Sequence, residues 1–240
     1  MKKLFSITII CVAAASLSLL SSCRFGCVRG SGHQVTESHK VGSFTRLEID
    51  GAFRVNLKQD SSGIATITAD DNLMKYIRAE SDGDKLLIKA RKNFCSSGEM
   101  VINIGIKNLE RLEGSGAVTF ISDGKLNTKD LSIHLSGASK IDLDLTAGNV
   151  ITHGSGSTEI ILKGQATSHK VDLTGSGKIS ALDFVVGSYD ISTTGASHCD
   201  INVLNSLNVS TTGSSEIRYR GNPTNVNTSK TGASSVTKID

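Results

Sequence analysis

Val171-Asp172-Leu173-Thr174-Gly175-Ser176-Gly177-Lys178-Ile179-Ser180-Ala181 is followed twenty residues on by Ile191-Ser192-Thr193-Thr194-Gly195-Ala196-Ser197-His198-Cys199-Asp200-Ile201. In both stretches apolar or small residues alternate with polar ones up to a glycine, and a second alternation begins after it. A period of two is that of a strand with one buried face, and a glycine between two such runs marks a corner where the backbone takes a conformation other residues resist. The same Gly-[Ser/Ala]-[Gly/Ser] element recurs at Gly114, Gly137, Gly154, Gly175, Gly195, Gly213 and Gly232, in steps of 23, 17, 21, 20, 18 and 19 residues.

Aligned on these glycines, the chain forms columns. Four residues after them stand Val118, Ile141, Thr158, Ile179, Cys199, Ile217 and Val236; six after stand Phe120, Leu143, Ile160, Ala181, Ile201, Tyr219 and Lys238. Ile133, Val150, Val171, Ile191 and Val209 stand four before. A unit this short cannot bury its own apolar face and must stack on its neighbours. Stacking at roughly 4.8 Å turns each column into a ladder. The repeat predicts an all-β chain, a parallel β-helix-like solenoid with rungs of about 20 residues. The same short strands also permit a sandwich or barrel of antiparallel hairpins. Cys199 falls in an inward column, as an inert packed thiol does.

Composition agrees with many short strands. Aromatics make up 4%, Trp is absent, Pro223 is the single proline, and there are 24 glycines. Ahead of the repeats, strands are expected at 44–49, 51–57, 64–69, 86–90 and 100–106, with Phe53, Val55 and Leu57 sharing one face. A helical turn is expected within 72–77 and a hairpin turn at Asp82-Gly83-Asp84.

The N-terminus carries an address. Lys2 and Lys3 precede an apolar run from Leu4 to Leu20, the pattern of a secretory signal. The run ends in Leu20-Ser21-Ser22-Cys23, which resembles the bacterial lipobox. That resemblance implies cleavage before Cys23, lipidation of its thiol and a membrane anchor. The plan is thus a signal peptide over 1–22, a lipid-anchored tether over 23–43, and one domain over 44–240, less regular to 112 and repetitive from 113. It places the protein in the cell envelope, at the outer membrane. Arg24-Phe25-Gly26 lacks the acidic run that often marks surface export, so the periplasmic and surface faces both stay open. Export permits a disulfide, and Cys27–Cys95 is the pair to entertain. Losing Lys2 and Lys3 leaves the basic residues nearly balanced against 23 acidic ones, with no case for nucleic acid.

The segment Phe44 to Leu57, the run Ile64 to Ala69, the Asp71-Asn72-Leu73 element and the seven glycine repeats together resemble the family described as putative auto-transporter adhesin, head GIN domain. The resemblance covers roughly 44–237. It implies an exported, often lipid-anchored bacterial protein with a right-handed β-helix-like architecture and a role in adhesion. It supplies no binding residues.

Chemistry is sparse. Aligned on the same glycines, Asp142, Glu159 and Asp200 form an exposed column continued by Arg218. Such a column can bind a cation, or serve a carbohydrate-active, pectinase-like enzyme if Asp142, Glu159 and Arg218 converge. It is also what a soluble strand face carries. No zinc-type spacing of Cys and His is present, so neither a metal site nor a cofactor is expected. His33, His39, His134, His153, His169 and His198 read as surface or structural residues. Ser136, Thr174, Thr194, Thr212 and Thr231 precede glycines as a hydroxyl ladder that can meet sugars or satisfy turns. The function expected is a non-enzymatic binding or adhesion module with a glycan or protein ligand; a pectinase-like enzyme and a structural envelope spacer are the alternatives.

Overall fold

The computed structural model describes residues 26–95 and 98–240. The signal segment and Cys23 lie outside the described residues. The chain is all-β, its main sheet nearly closed and barrel-like. In order it runs β1 (Cys27–Arg29), β2 (Gln34–Lys40), β3 (Arg46–Gly51), β4 (Arg54–Gln59), β5 (Ile64–Asp70), the short helix α1 (Asp71–Met74), β6 (Ile77–Asp82), β7 (Lys85–Ala90), β8 (Asn93–Cys95) and β9 (Val101–Ile106). Then come β10 (Arg111–Gly116), β11 (Thr119–Asn127), β12 (Asp130–Arg220, continuously in ladder pairing), β13 (Asn225–Gly232) and β14 (Ser235–Lys238).

Parallel pairing carries the repeats. β10 lies between β3 and the start of β12, so Leu47, Leu112 and Ile133 stand in one line and Gly51, Gly116 and Gly137 in another. β11 lies between β4 and β12, aligning Val55, Phe120 and Ile141. At the far end β13 and β14 pair with β12, placing Gly213 beside Gly232 and Ile217 beside Val236. In the main sheet, antiparallel pairing is confined to β2–β5–β9 and to the β6–β7 hairpin. That hairpin turns at Gly83, where the expected Asp82-Gly83-Asp84 turn sits.

The corner glycines require a correction. Positive φ is found at Gly116, Gly137, Gly156, Gly175, Gly195, Gly213 and Gly232, not at Gly114 or Gly154. A Cβ on Gly137 would come within 2.5 Å of the Gly116 carbonyl oxygen, and one on Gly195 within 2.3 Å of that of Gly175. Each glycine therefore accommodates the one before it. Gly114 and Gly154 stand two residues earlier and are buried; a side chain on them would press on Phe120 or Leu173 at 2.7 Å. In Gly114-Ser115-Gly116 and Gly154-Ser155-Gly156 the backbone bends at the second glycine, whereas in Gly175-Ser176-Gly177 it bends at the first.

With that shift the steps become 21, 19, 19, 20, 18 and 19 residues. The column four after the glycine now reads Val55, Phe120, Ile141, Ile160, Ile179, Cys199, Ile217 and Val236, buried except for the last. Val118 and Thr158 join Ser139, Ser197 and Ser215 in a buried column of smaller side chains two after the glycine. Each fully buried Ile or Phe contributes about 1.5–3 kcal/mol, and the columns run nearly the length of the molecule.

The two ends are finished differently. Residues 23–43 were expected to be a tether, yet Gln34–Lys40 pairs in antiparallel register with Ile64–Asp70, and Val41 is buried. An edge strand gains its ladder hydrogen bonds whatever its side chains, so a polar stretch without a sustained period joins the sheet. Cys27 and Cys95 are bonded, with 5.6 Å between their Cα atoms, and clip β1 to β8. At the C-terminal end, positions that are buried inside earlier rungs become Thr228, Lys230 and Lys238, all exposed. Charged residues at such positions discourage another strand from adding to the open edge.

Candidate functional site

Three residues before each corner glycine lies an outward column that reads Glu48, Glu113, His134, His153 and Asp172. It lines a groove of about 380 Å³, floored by Gly114, Leu135 and Gly154 and edged by Ser115, Ser136, Ser155 and Thr174. The rings of His134 and His153, on neighbouring rungs, have centroids 4.8 Å apart and are tilted by 38°. His153 Nδ1 stands 3.3 Å from Asp172 Oδ2. His134 Nε2 shares a 2.9 Å hydrogen bond with Ser132 Oγ, and the Arg111 guanidinium donates to Glu113 at the adjoining position.

The surroundings of His134 disfavour its charged form. Partial burial, then the Arg111 guanidinium and His153, push its pKa below the usual imidazole value, against a smaller opposing effect of Glu113. A neutral imidazole offers one donor and one acceptor. The groove is thus a run of imidazole and carboxylate groups beside a run of hydroxyls.

The corrected register moves the carboxylates. Asp142 and Asp200 do lie five residues after corner glycines, but Ile161 and Ser180 stand between them in that column. Glu159 lies three after Gly156, in the neighbouring column, where it pairs with Lys140 at 3.0 Å. Asp142 faces Lys163 at 4.0 Å. Asp200 and Arg218 meet on adjacent rungs: the guanidinium donates at 2.6 and 2.8 Å to the two carboxylate oxygens. His198 bridges Asp200 and Glu216 at 3.2 and 3.1 Å. Arg218, then desolvation working against it and His198, leave Asp200 below the ordinary carboxylate range. Arg218 is raised by the same contact. Asp142, Glu159 and Arg218 are therefore held by different partners and do not converge.

The histidine ladder went unnoticed in the sequence because aligning on Gly154 puts Ile151 where His153 belongs. Aligning on Gly156 brings His134, His153 and Asp172 into one column.

The model of the family described as putative auto-transporter adhesin, head GIN domain, matches residues 43–223. The chain belongs to this head GIN domain family. No curated protein sequence matches it. Among solved structures, a "putative adhesin" from Bacteroides fragilis is 22% identical with a TM-score of 0.83, over 88% of this chain and 100% of the other. A "putative adhesin" from Parabacteroides merdae is 21% identical with a TM-score of 0.72, over 90% and 100%. A "putative lipid binding protein" from Parabacteroides distasonis is 19% identical with a TM-score of 0.70, over 89% and 99%. At these identities the likeness establishes a shared fold. For this head GIN domain it means that the all-β architecture is common to the group, while the His134–His153 groove is read from this chain alone.

Proposed function

We propose that this head GIN domain is a non-enzymatic binding module of the bacterial cell envelope, held to the outer membrane through a lipid on Cys23 and presenting its long polar faces to a glycan or protein outside the cell. One observation carries the reading: an outward column of hydroxyls repeats on successive rungs without interruption. Ser115, Ser136, Ser155, Thr174, Thr194, Thr212 and Thr231 form a hydroxyl row immediately before the corner glycines, and six of the seven are exposed, with Ser136 half-buried. A row of hydroxyls of alternating donor and acceptor capacity suits an extended hydroxyl-rich or amide-rich ligand. Family membership and structural relatives described as putative adhesins support the same reading.

The winding is that of a parallel β-helix-like solenoid. Supporting it are parallel registers that advance by 21 residues from β10 to β12 and by 19 from β12 to β13, and the stack of corner glycines. Right-handed winding follows from the preference of parallel crossovers. The pectinase-like alternative needs Asp142, Glu159 and Arg218 together, and their separate ion pairs count against it.

Cys23→Ala tests the anchor. The wild-type chain should take up labelled fatty acid and sediment with membranes, and the variant should do neither. A glycan and envelope-protein binding panel then tests the face, with Thr194→Lys and Thr212→Lys expected to abolish whatever the wild type captures. Capture unaffected by both substitutions counts against the hydroxyl row as the contact face.

A further inference from the structure

We propose that His134 and His153 form a two-histidine site for a borderline divalent transition-metal ion such as Zn²⁺, independently of what the hydroxyl row binds. The two imidazoles project from neighbouring rungs into one groove, half-exposed, with ring centroids 4.8 Å apart. Each ring has a polar neighbour at one of its two nitrogens. The Asp172 carboxylate lies 3.3 Å from His153 Nδ1 and can only accept, so in the tautomer that donates toward it Nε2 keeps its lone pair. This carboxylate–imidazole arrangement is the one that orients metal-binding histidines and raises their basicity. His134 has a partner at its Nε2, where Ser132 Oγ lies 2.9 Å away, so its Nδ1 is the nitrogen left to face a ligand.

Among the described residues no three His, Cys, Asp or Glu side chains are already gathered around one point. The protein therefore supplies two nitrogens, and water completes a tetrahedral shell with Zn–N distances of about 2.0–2.1 Å. Glu113 is paired with Arg111 and Glu48 with Lys85, so the carboxylate that makes the groove attractive to a cation is Asp172. The other exposed histidine cluster is unsuited to an ion. At His198 the Arg218 guanidinium comes within 3.3 Å of Nε2, and Asp200 is taken up in the same ion pair.

The test is calorimetric titration of ZnCl₂ into the untagged full chain at neutral pH. One ion per chain is expected, weakened at least tenfold in His134→Gln and in His153→Gln. Asp172→Asn should weaken it by about 10–100-fold, the range for supporting partners. His198→Gln should leave it unchanged. Melting in EDTA verifies that each variant is folded, and the paramagnetic resonance spectrum of Cu²⁺ on the wild type, which needs no variant, should report two coordinated nitrogens. No binding at millimolar Zn²⁺, retention of the ion by both histidine variants, or a Cu²⁺ spectrum without two nitrogens overturns the site.

Discussion

His169 Nε2 lies 2.9 Å from Thr152 Oγ1, and both residues are sealed inside the wound sheet. Tyr189 packs on the His169 ring at 5.2 Å and Phe184 meets it edge-on at 5.9 Å. His169 stands six residues before Gly175, in a column with Leu131, Val150, Tyr189 and Leu207, all buried. An imidazole in an apolar ladder is held neutral, and burial pushes its pKa down to about 3.

Acid sensitivity follows. The neutral form is the one folded, so the unfolded chain binds the extra proton. Stability from this group is complete above about pH 6.5 and is lost as pH falls from there toward 3. At pH 4.5 the loss is about 2–3 kcal/mol, two pH units below the unfolded value. Urea unfolding at pH 7.5 and 4.5 measures it, and His169→Leu should flatten the difference. An unchanged dependence in that variant refutes the assignment.

Gly195→Ala should destabilise the fold by about 1–3 kcal/mol, because its φ of +119° is strained for a side chain and the Gly175 carbonyl blocks the Cβ. Thermal melting reads the effect. Ala at the exposed Gly124, where φ is also positive but nothing lies within 4 Å, should cost less. Equal losses at the two positions would show that stacking contributes nothing beyond backbone strain.

The cysteines should behave as two classes. Reducing Cys27–Cys95, which spans 68 residues, should lower stability by about 2–4 kcal/mol. Cys199 is buried and its thiol is pushed up to about 12 by desolvation first and Asp200 second. Peptide mapping after iodoacetamide should find Cys199 unmodified until the chain is unfolded; rapid native labelling would contradict its place in the core column.

Lys230→Val with Lys238→Leu should convert the last rung into an apolar continuation of the columns beneath it. Light scattering should then detect end-to-end association that the parent chain lacks. A monodisperse double variant would mean that something other than these charges protects the edge.

Much of the fold is legible from alternation and spacing. Phe53, Val55 and Leu57 are buried together as their period of two requires, and α1, Asp71–Met74, overlaps the start of the 72–77 stretch expected to turn. The register was harder. Gly114 and Gly116 are chemically identical two residues apart, and only the backbone distinguishes the one at positive φ from the one under Phe120. Because a shift of two preserves which face a side chain points to, Glu159 stays exposed but changes neighbours, from Asp142 to Lys140. The same shift hid His153 from His134. The β2 edge strand left little trace, since ladder hydrogen bonds are made by backbone groups common to every residue.

Protease shaving of intact cells, following the domain with an antibody, tests the central claim most directly. An envelope binding module that faces outward should be digested on intact cells in the wild type. Protection in intact cells, with digestion only after lysis, would contradict outward display and return the protein to a role inside the envelope.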